Sequence, residues 1–315
     1  MNTISAAPRM IRPMIPGKSQ LITARPTVKK PLMAAICLLT ALLLIDGAGP
    51  KPAGAAEDFY ALRQQLKKDG FDAARIDDYY GSPRVKFEQE AIARFFHHSE
   101  ARLDYGQFLT AESIRQAEEY MRRHLSWMEQ AEAAFKVDKE IIAAIILVET
   151  RCGRIVGQAV TLNILSSMAA LADPALRKKF WQAISADSNL SLEEFRQKAS
   201  GKSAWAYKEL KAFLTYVDRE NLSDPLAITG SYAGALGIPQ FMPSNILALG
   251  VDANNDGKTD LFSHADAIMS VARYLNYHGW KPGLNQEQAH RVLRRYNNSS
   301  YYADTLLKIR QRLKE

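Results

Sequence analysis

Residues 139–150 read KEIIAAIILVET, and positions 141–148 within them form an unbroken run of eight apolar residues. A helix that is apolar all round is buried on all sides, as in the core of a protein. Asp138, directly before the segment, is a residue type that commonly caps helix N-termini. The segment therefore predicts a fully buried helix that begins after Asp138 and runs through Glu149.

Helical spacing recurs on both sides of this segment. Apolar residues three and four positions apart, among charged ones, predict helices. These predicted helices lie near 58–69, 86–97, 110–135, 204–219, 264–278, 285–296 and 301–313. The polar stretch 185–203 instead predicts a connection or an irregular insert, and 221–263 predicts a loop-rich insert. No segment alternates cleanly enough to predict a strand, so the expected fold class is mainly α.

The N-terminal region has the pattern of a secretory signal. Lys and Arg residues precede an uncharged apolar run at 32–45, and the small residues AGA follow at 53–55. The run is shorter than the roughly 20 residues that a spanning helix needs. We therefore predict a signal peptide at 1–55 and a periplasmic domain at 56–315, with membrane contact only through the signal if it is uncleaved. The alternative is a retained membrane anchor.

The charge of the chain is concentrated in this N-terminal region. The 315-residue chain has a formal net charge of +7, of which residues 1–55 contribute +6. The remaining 34 basic and 33 acidic residues nearly balance, which removes support for nucleic acid as a partner. Cys152 is the only cysteine after residue 55, so an internal disulfide in the mature chain is excluded.

Glu149 is the first candidate for a catalytic residue. It follows the apolar run directly, where partial loss of solvent disfavours a charged carboxylate and raises its pKa. A carboxyl group that keeps its proton near neutral pH can serve as general acid towards a glycosidic oxygen. The alternative is that Glu149 forms a structural ion pair with Arg151 or Arg154, because such pairs also perturb carboxylates.

Residues 230–244, GSYAGALGIPQFMPS, combine three glycines, two prolines and two aromatic residues. Glycines allow the backbone to approach a ligand closely, and prolines rigidify turns. Aromatic faces and amide groups suit sugars, which present apolar ring faces and many hydroxyls. By composition alone, a sugar-binding loop and a structural loop are equally compatible with this segment.

Four motifs in order resemble those of the membrane-bound lytic murein transglycosylase B family. They are ETRCGR at 149–154, the segment 230–244, an acidic loop at 252–266 and YNNS at 296–299, within a resemblance over about 113–313. The resemblance implies a mainly α, lysozyme-like transglycosylase fold with a deep groove for glycan strands. It also implies a monomer whose partner is peptidoglycan, with no organic cofactor.

The resemblance implies that Glu149 is the catalytic residue of the family's reaction. Members cleave the β-1,4 bond between N-acetylmuramic acid and N-acetylglucosamine and form 1,6-anhydromuramic acid, with one glutamate acting as acid and then as base. Ordinary glycosidases use two carboxylates. Two alternatives stay open: a hydrolytic muramidase of the same fold, and a non-catalytic peptidoglycan-binding module.

The same matching places substrate-binding residues around Glu149. The matched positions are Ser231, Gln240, Phe241, Tyr274, Tyr296 and Tyr302. For Tyr274 and Tyr302 the alternative is packing between helices. The chain departs from the family at Cys152, where relatives carry an aromatic residue, and at 172–203, which matches poorly. A packing role as a small hydrophobe is expected for Cys152.

The acidic loop reproduces the first half of an EF-hand. Oxygen-bearing side chains stand at positions 1, 3 and 5, glycine at 6, and a carbonyl donor at 7. Position 12 is serine, and the aspartate three residues later is its substitute in the family's longer loop. The predicted ligands of a structural Ca²⁺ are Asp252, Asn254, Asp256, the carbonyl of Lys258, and Asp266. The alternative is a solvated acidic turn.

Overall fold

The computed structural model describes residues 55–97 and 104–315, and within them the chain forms fourteen α-helices and two short strands. The first seven helices are α1 (Ala55–Asp58), α2 (Tyr60–Lys68), α3 (Ala73–Gly81), α4 (Gln89–His97), α5 (Ala111–Arg123), α6 (Leu125–Phe135) and α7 (Lys139–Thr150). The others are α8 (Thr161–Ala170), α9 (Pro174–Ile184), α10 (Leu192–Arg219), α11 (Pro243–Leu249), α12 (His264–Tyr277), α13 (Gln286–Tyr296) and α14 (Ser300–Arg312). The mainly α prediction is confirmed.

The two strands form one small antiparallel ladder. In it, β1 (Ala159–Val160) pairs with β2 (Thr229–Gly230), and Ala159 lies opposite Gly230. The predicted signal, apart from its last residue, lies outside the described residues. None of the helices that the structure describes is long and apolar enough to cross a membrane.

Helix α7 lies in the core, as predicted. Residues 141–147 are completely buried, and the helix contacts α5, α6, α12 and α14. Asp138 precedes the first turn, but its side chain makes no capping hydrogen bond. It accepts hydrogen bonds from Trp280 Nε1 at 3.1 Å, Arg310 Nη2 at 3.0 Å and Lys314 Nζ at 2.7 Å. Asp138 therefore ties the start of α7 to the C-terminal helix.

The predicted connection at 185–203 is wrong over most of its length. Helix α10 begins at Leu192, after a capping box formed by Ser191 and Glu194, and runs for 28 residues. Its buried face continues through Phe195, Ala199 and Ser203 and packs against α8. Small residues on that face allow close approach, so the local Ser and Gly content indicated a loop where tertiary packing favours a helix. Helices α8 and α9 were not predicted.

The loop-rich prediction for 221–263 holds except for α11. Backbone bonds Leu236 N–Phe241 O (2.8 Å) and Phe241 N–Leu236 O (3.1 Å) close a tight turn within it. The hydroxyl of Thr150, at the end of α7, donates to Ile238 O at 2.8 Å. A side chain that ends the buried helix thus positions the 230–244 loop beside Glu149.

Candidate active site

Glu149 lies half-buried near the C-terminal end of α7 and accepts a 2.6 Å hydrogen bond at Oε1 from the hydroxyl of Tyr302. Tyr302 is 1% exposed in the first turn of α14, which Ser299 caps through its side chain. Burial and the neighbouring charge of Glu149 hold the pKa of Tyr302 well above its usual value. The tyrosine therefore stays protonated and acts as a fixed donor to the carboxyl group.

The two arginines after Glu149 contact residues around the turn that follows α7. Arg151 donates to the side chain of Gln107, and its guanidinium lies 4.9 Å from the centre of the Phe108 ring. Arg154 donates to the carbonyl of Arg151 at 3.1 Å. These contacts hold the Arg151 and Arg154 side chains against the segment before α5 and the turn after α7.

The turn that follows α7 separates these arginines from the helix. Arg151, Cys152 and Gly153 take φ values of 48°, 62° and 83° in succession. The thiol of Cys152 is half-buried and 3.7 Å from the carbonyl oxygen of Gln116, and burial raises its pKa to about 11. A protonated, partly buried thiol agrees with the predicted packing role.

The structure brings the three predicted tyrosines together with Phe241. Tyr296 stacks on Tyr302 with ring centres 6.3 Å apart, and it meets Tyr274 edge-on at 4.9 Å. Phe241 lies 5.4 Å from Tyr274 and 5.8 Å from Tyr296. Tyr296 is half-buried, whereas Phe241, Tyr274 and Tyr302 are at most 4% exposed.

Burial separates the predicted substrate-binding residues into those that a ligand can reach and those that it cannot. Phe241 is 1% exposed and packs beneath Tyr296, so it supports the site and presents no ring face to a ligand in this conformation. Tyr274 is held by its hydroxyl, which donates to Arg295 O at 2.6 Å, as the helix-packing alternative expects. Tyr296 donates to Pro239 O at 2.5 Å, which fixes its half-buried ring against the 230–244 loop.

Ser231 and Gln240 lie at the two ends of this loop, and both are half-buried. Ser231 Oγ accepts from Ala235 N at 3.1 Å, which leaves its hydroxyl hydrogen as a donor to a ligand. Gln240 has φ of 52°, and its Nε2 donates to the carbonyls of Gly237 at 2.8 Å and Val156 at 3.1 Å. Because two carbonyls fix the amide nitrogen, Oε1 is the atom that can accept from a sugar hydroxyl.

Sequence reasoning missed Tyr105. This residue begins a 3₁₀ turn, Tyr105–Leu109, and its ring meets Tyr302 edge-on with centres 6.4 Å apart. It is half-buried and adds a fourth tyrosine to the surroundings of Glu149. A single aromatic residue in a short polar turn carries no periodic signal, so only the three-dimensional arrangement reveals it.

The acidic loop curls around its own carboxylates. Asp252 accepts from Gly257 N at 2.9 Å and Asp256 N at 3.2 Å, while Asp266 accepts from Ala253 N at 3.0 Å and Asp260 N at 2.8 Å. Asp266 is completely buried. Its pKa is raised by burial, and the negative charges of Asp252 and Asp256 raise it further. Three crowded carboxylates with oxygen donors nearby fit a hard cation such as Ca²⁺.

A second acidic group lies elsewhere, at the start of α7. Carboxylate oxygens of Glu132, Asp138 and Glu140 lie within 4.8 Å of one another. Lys139 lies 3.5 Å from Glu132 and 3.6 Å from Glu140, and Lys314 lies 2.7 Å from Asp138. These cations neutralise the group, so it is a structural ion-pair network.

The site therefore contains a half-buried glutamate near the end of a buried helix, a buried tyrosine bonded to it, and a glycine-rich loop tied to the next residue, Thr150. The chain belongs to the transglycosylase SLT domain family, whose model matches residues 54–289. It is 34% identical to membrane-bound lytic murein transglycosylase B of Escherichia coli (strain K12) over 176 residues, 56% of this chain. That match spans 41% of the relative's own length.

Solved structures share the fold. Soluble lytic transglycosylase SltB1 of Pseudomonas aeruginosa has a TM-score of 0.65 at 24% identity, covering 82% of this chain and 97% of its own. Escherichia coli Slt35 in complex with calcium has a TM-score of 0.63 at 23% identity, covering 84% and 93%. SltB3 of Pseudomonas aeruginosa with NAG-NAM-pentapeptide has 0.65 at 19% identity, covering 83% and 80%. The predicted family and fold class are confirmed.

Proposed function

We propose that this chain is a peptidoglycan lytic transglycosylase with Glu149 as its single catalytic acid and base. The observation that carries the proposal is the 2.6 Å hydrogen bond by which buried Tyr302 fixes the Glu149 carboxyl group. The carboxyl group stands next to a glycine-rich loop held in place by Thr150. Membership in the transglycosylase SLT domain family supports the same activity.

The proposed reaction needs one carboxyl group and no added water. Glu149 donates its proton to the glycosidic oxygen as the bond from muramoyl C1 breaks, which frees N-acetylglucosamine with a new hydroxyl. The Glu149 carboxylate then takes the proton of the muramoyl C6 hydroxyl, whose oxygen bonds to C1 and closes the 1,6-anhydro ring. Glu149 ends protonated as it began, so the cycle is balanced.

Three of the remaining predicted residues, Ser231, Gln240 and Tyr296, hold the strand during this cycle. The hydroxyl of Ser231 and the amide oxygen of Gln240 are the polar atoms offered by the loop. The half-buried ring of Tyr296 offers its remaining apolar surface to a sugar. Phe241, Tyr274 and Tyr302 are buried and hold these groups in position.

The mass of the products tests this function against a hydrolytic muramidase. Purified peptidoglycan digested by the full chain is expected to release anhydro-muropeptides, which are lighter by one water than hydrolysis products. Mass spectrometry of the soluble fraction distinguishes the two directly. Hydrated products would assign the chain as a muramidase, and strand binding without any product would assign it as a binding module.

We also propose that the 252–266 loop binds a structural Ca²⁺. Asp252, Asn254, Asp256, the Lys258 carbonyl and Asp266 would hold it. The buried, crowded Asp266 carboxylate supports the proposal, as does the calcium complex of Escherichia coli Slt35. The ion would fix the loop that precedes α12. Helix α12 in turn holds Tyr274 in the site.

Calcium is expected to raise the melting temperature of the protein by about 5–10 °C at a hundredfold excess over its Kd. The reason is that the ion offsets repulsion among three carboxylates that folding brings together. Scanning calorimetry with added Ca²⁺ and with chelator measures the shift. Asp256→Ala should abolish it, whereas Glu132→Ala, in the ion-pair network, should keep it. An unchanged melting temperature would exclude the site.

The site of action follows from the substrate. Peptidoglycan lies outside the cytoplasmic membrane, so we propose export to the periplasm by the predicted signal at 1–55. The proposed partner is the glycan strand, bound by a monomer.

A further inference from the structure

A pocket lies between α9 and α10, and none of the candidate active-site residues lines it. Its volume is about 380 Å³, within the roughly 300–1,000 Å³ that small-molecule sites occupy. We call it the α9–α10 pocket. The residues that determine its chemistry are Arg177, Lys178 and Trp181 of α9, and Leu192, Phe195 and Arg196 of α10.

The floor of the α9–α10 pocket is aromatic. Trp181 stacks on Phe195 with ring centres 4.8 Å apart and 27° between the ring planes. Phe195 is 1% exposed, whereas Trp181 is only half-buried. Leu192, the first residue of α10, is 42% exposed at the edge of the pocket. The pocket therefore leaves apolar surface open to solvent, which an apolar ligand would cover.

Three cations line the same pocket. Arg177 is half-buried, and Lys178 and Arg196 are exposed. Among the side chains that the structure describes, none forms an ion pair or a hydrogen bond with the side chain of Arg177 or Lys178. Arg196 pairs with Glu193 at the long distance of 3.9 Å. Carboxylates compensate this positive charge only in part, so the pocket favours an anionic ligand.

Helical spacing brings the cations and the apolar side chains together. Arg177 and Lys178 lie four and three positions before Trp181, so all three share one face of α9. The pocket residues of α10 have the same spacing from Leu192. Both stretches of helix lie in the segment 172–203, which departs from the family pattern. The matched motifs therefore do not account for this pocket.

We propose that the α9–α10 pocket binds a single-chain carboxylate of the fatty-acid class. The alkyl chain lies against Trp181 and Leu192, and the carboxylate pairs with Arg177, whose planar guanidinium matches it. The pocket volume limits the chain to about ten carbon atoms. A partner protein would need an interface of roughly 1,200 Å² or more, whereas two short stretches of helix bound this pocket.

Isothermal titration calorimetry of the full chain with sodium octanoate tests the charge recognition. The second probe is 1-octanol, which has the same alkyl chain without the charge. Arg177→Gln is expected to weaken octanoate binding about fivefold, the value of a partly exposed ion pair, and to leave octanol binding within about twofold. Lys179→Gln is the matched control and should change neither, because Lys179 does not line the pocket and pairs with Asp58 at 3.1 Å.

Leu192→Asp provides the second measurement. It places a negative charge at the edge of the pocket, and a carboxylate in the first turn of a helix favours folding. We expect octanoate binding to weaken about tenfold, because the substitution removes an apolar contact and adds repulsion. Leu125→Asp is the matched control, since Leu125 is also the first residue of its helix and is 44% exposed.

Saturable octanoate binding that both pocket variants weaken and both controls retain would support the proposal. If Arg177→Gln binds octanoate as Lys179→Gln does, the carboxylate contact is overturned. If Leu192→Asp binds as Leu125→Asp does, the ligand lies elsewhere on the chain and the pocket is overturned. A lack of saturable binding at millimolar octanoate overturns the whole proposal. None of these results bears on the proposed cleavage activity, because the pocket shares no residue with the candidate active site.

Discussion

Glu149→Gln is expected to lower the rate of peptidoglycan cleavage by about 10²–10⁴-fold, the usual contribution of a general acid. Glutamine keeps the shape of the side chain and can still accept the hydrogen bond from Tyr302, but it has no proton of suitable acidity for the glycosidic oxygen. The release of soluble muropeptides from purified peptidoglycan measures the rate. The melting temperature should stay close to that of the wild type, because α7 remains enclosed by its neighbours.

Tyr302→Phe separates positioning from proton transfer. The substitution keeps the buried ring and its stacking on Tyr296 and removes only the hydroxyl that bonds Glu149. We expect about a tenfold loss of activity, since a hydrogen bond to a charged group contributes about 1.5–3 kcal/mol. A Glu149→Gln enzyme that kept activity equal to Tyr302→Phe would show that Glu149 positions the substrate and does not transfer the proton.

Gly157→Ala is expected to destabilise the protein by about 3–5 kcal/mol, the range of severe single substitutions. Gly157 has φ of 93°, and a Cβ there would stand 2.1 Å from the carbonyl oxygen of Gly230. Both partners are backbone, so neither can turn away, and the ladder that holds the 230–244 loop has to open. Thermal unfolding should show a fall of about 10 °C.

Gly283→Ala is the control for this substitution. Gly283 has φ of 79° but open space where a Cβ would stand, so alanine there adds only backbone strain. That strain is expected to destabilise the protein by about 1–3 kcal/mol. An equal fall in melting temperature for the two variants would show that the backbone at Gly157 and Gly230 leaves room for a Cβ atom.

The sequence alone identified the elements whose signal is local. Eight consecutive apolar residues at 141–148 predicted a buried helix, because no orientation of such a helix exposes a polar face. The C-terminal helices were predicted to within about a residue, since each has a regular apolar stripe. The sequences of four motifs and their order along the chain were sufficient to predict the family, and the family model confirms that prediction.

Tertiary packing decided what local patterns could not. Helix α10 begins at Leu192, after its capping box, and Ala199 and Ser203 lie on the buried face of this helix, which packs against α8, although the Ser and Gly content of the segment indicated a loop. The motif match predicted that Phe241 contacts the substrate. In the structure it is buried under Tyr296, and it therefore supports the Tyr296 ring. Burial depends on neighbours that the local sequence does not contain.

The arrangement around the catalytic carboxyl group shows the same division. The sequence marked Glu149 and Tyr302 separately, 153 positions apart, but not the hydrogen bond that joins them. That bond exists because α14 packs against α7 and brings the buried tyrosine to the end of the apolar helix. Residue types determined which chemistry was available. The packing of α7, α14 and the 230–244 loop decided which atoms meet, because hydrogen bonds form only at short range and between fixed orientations.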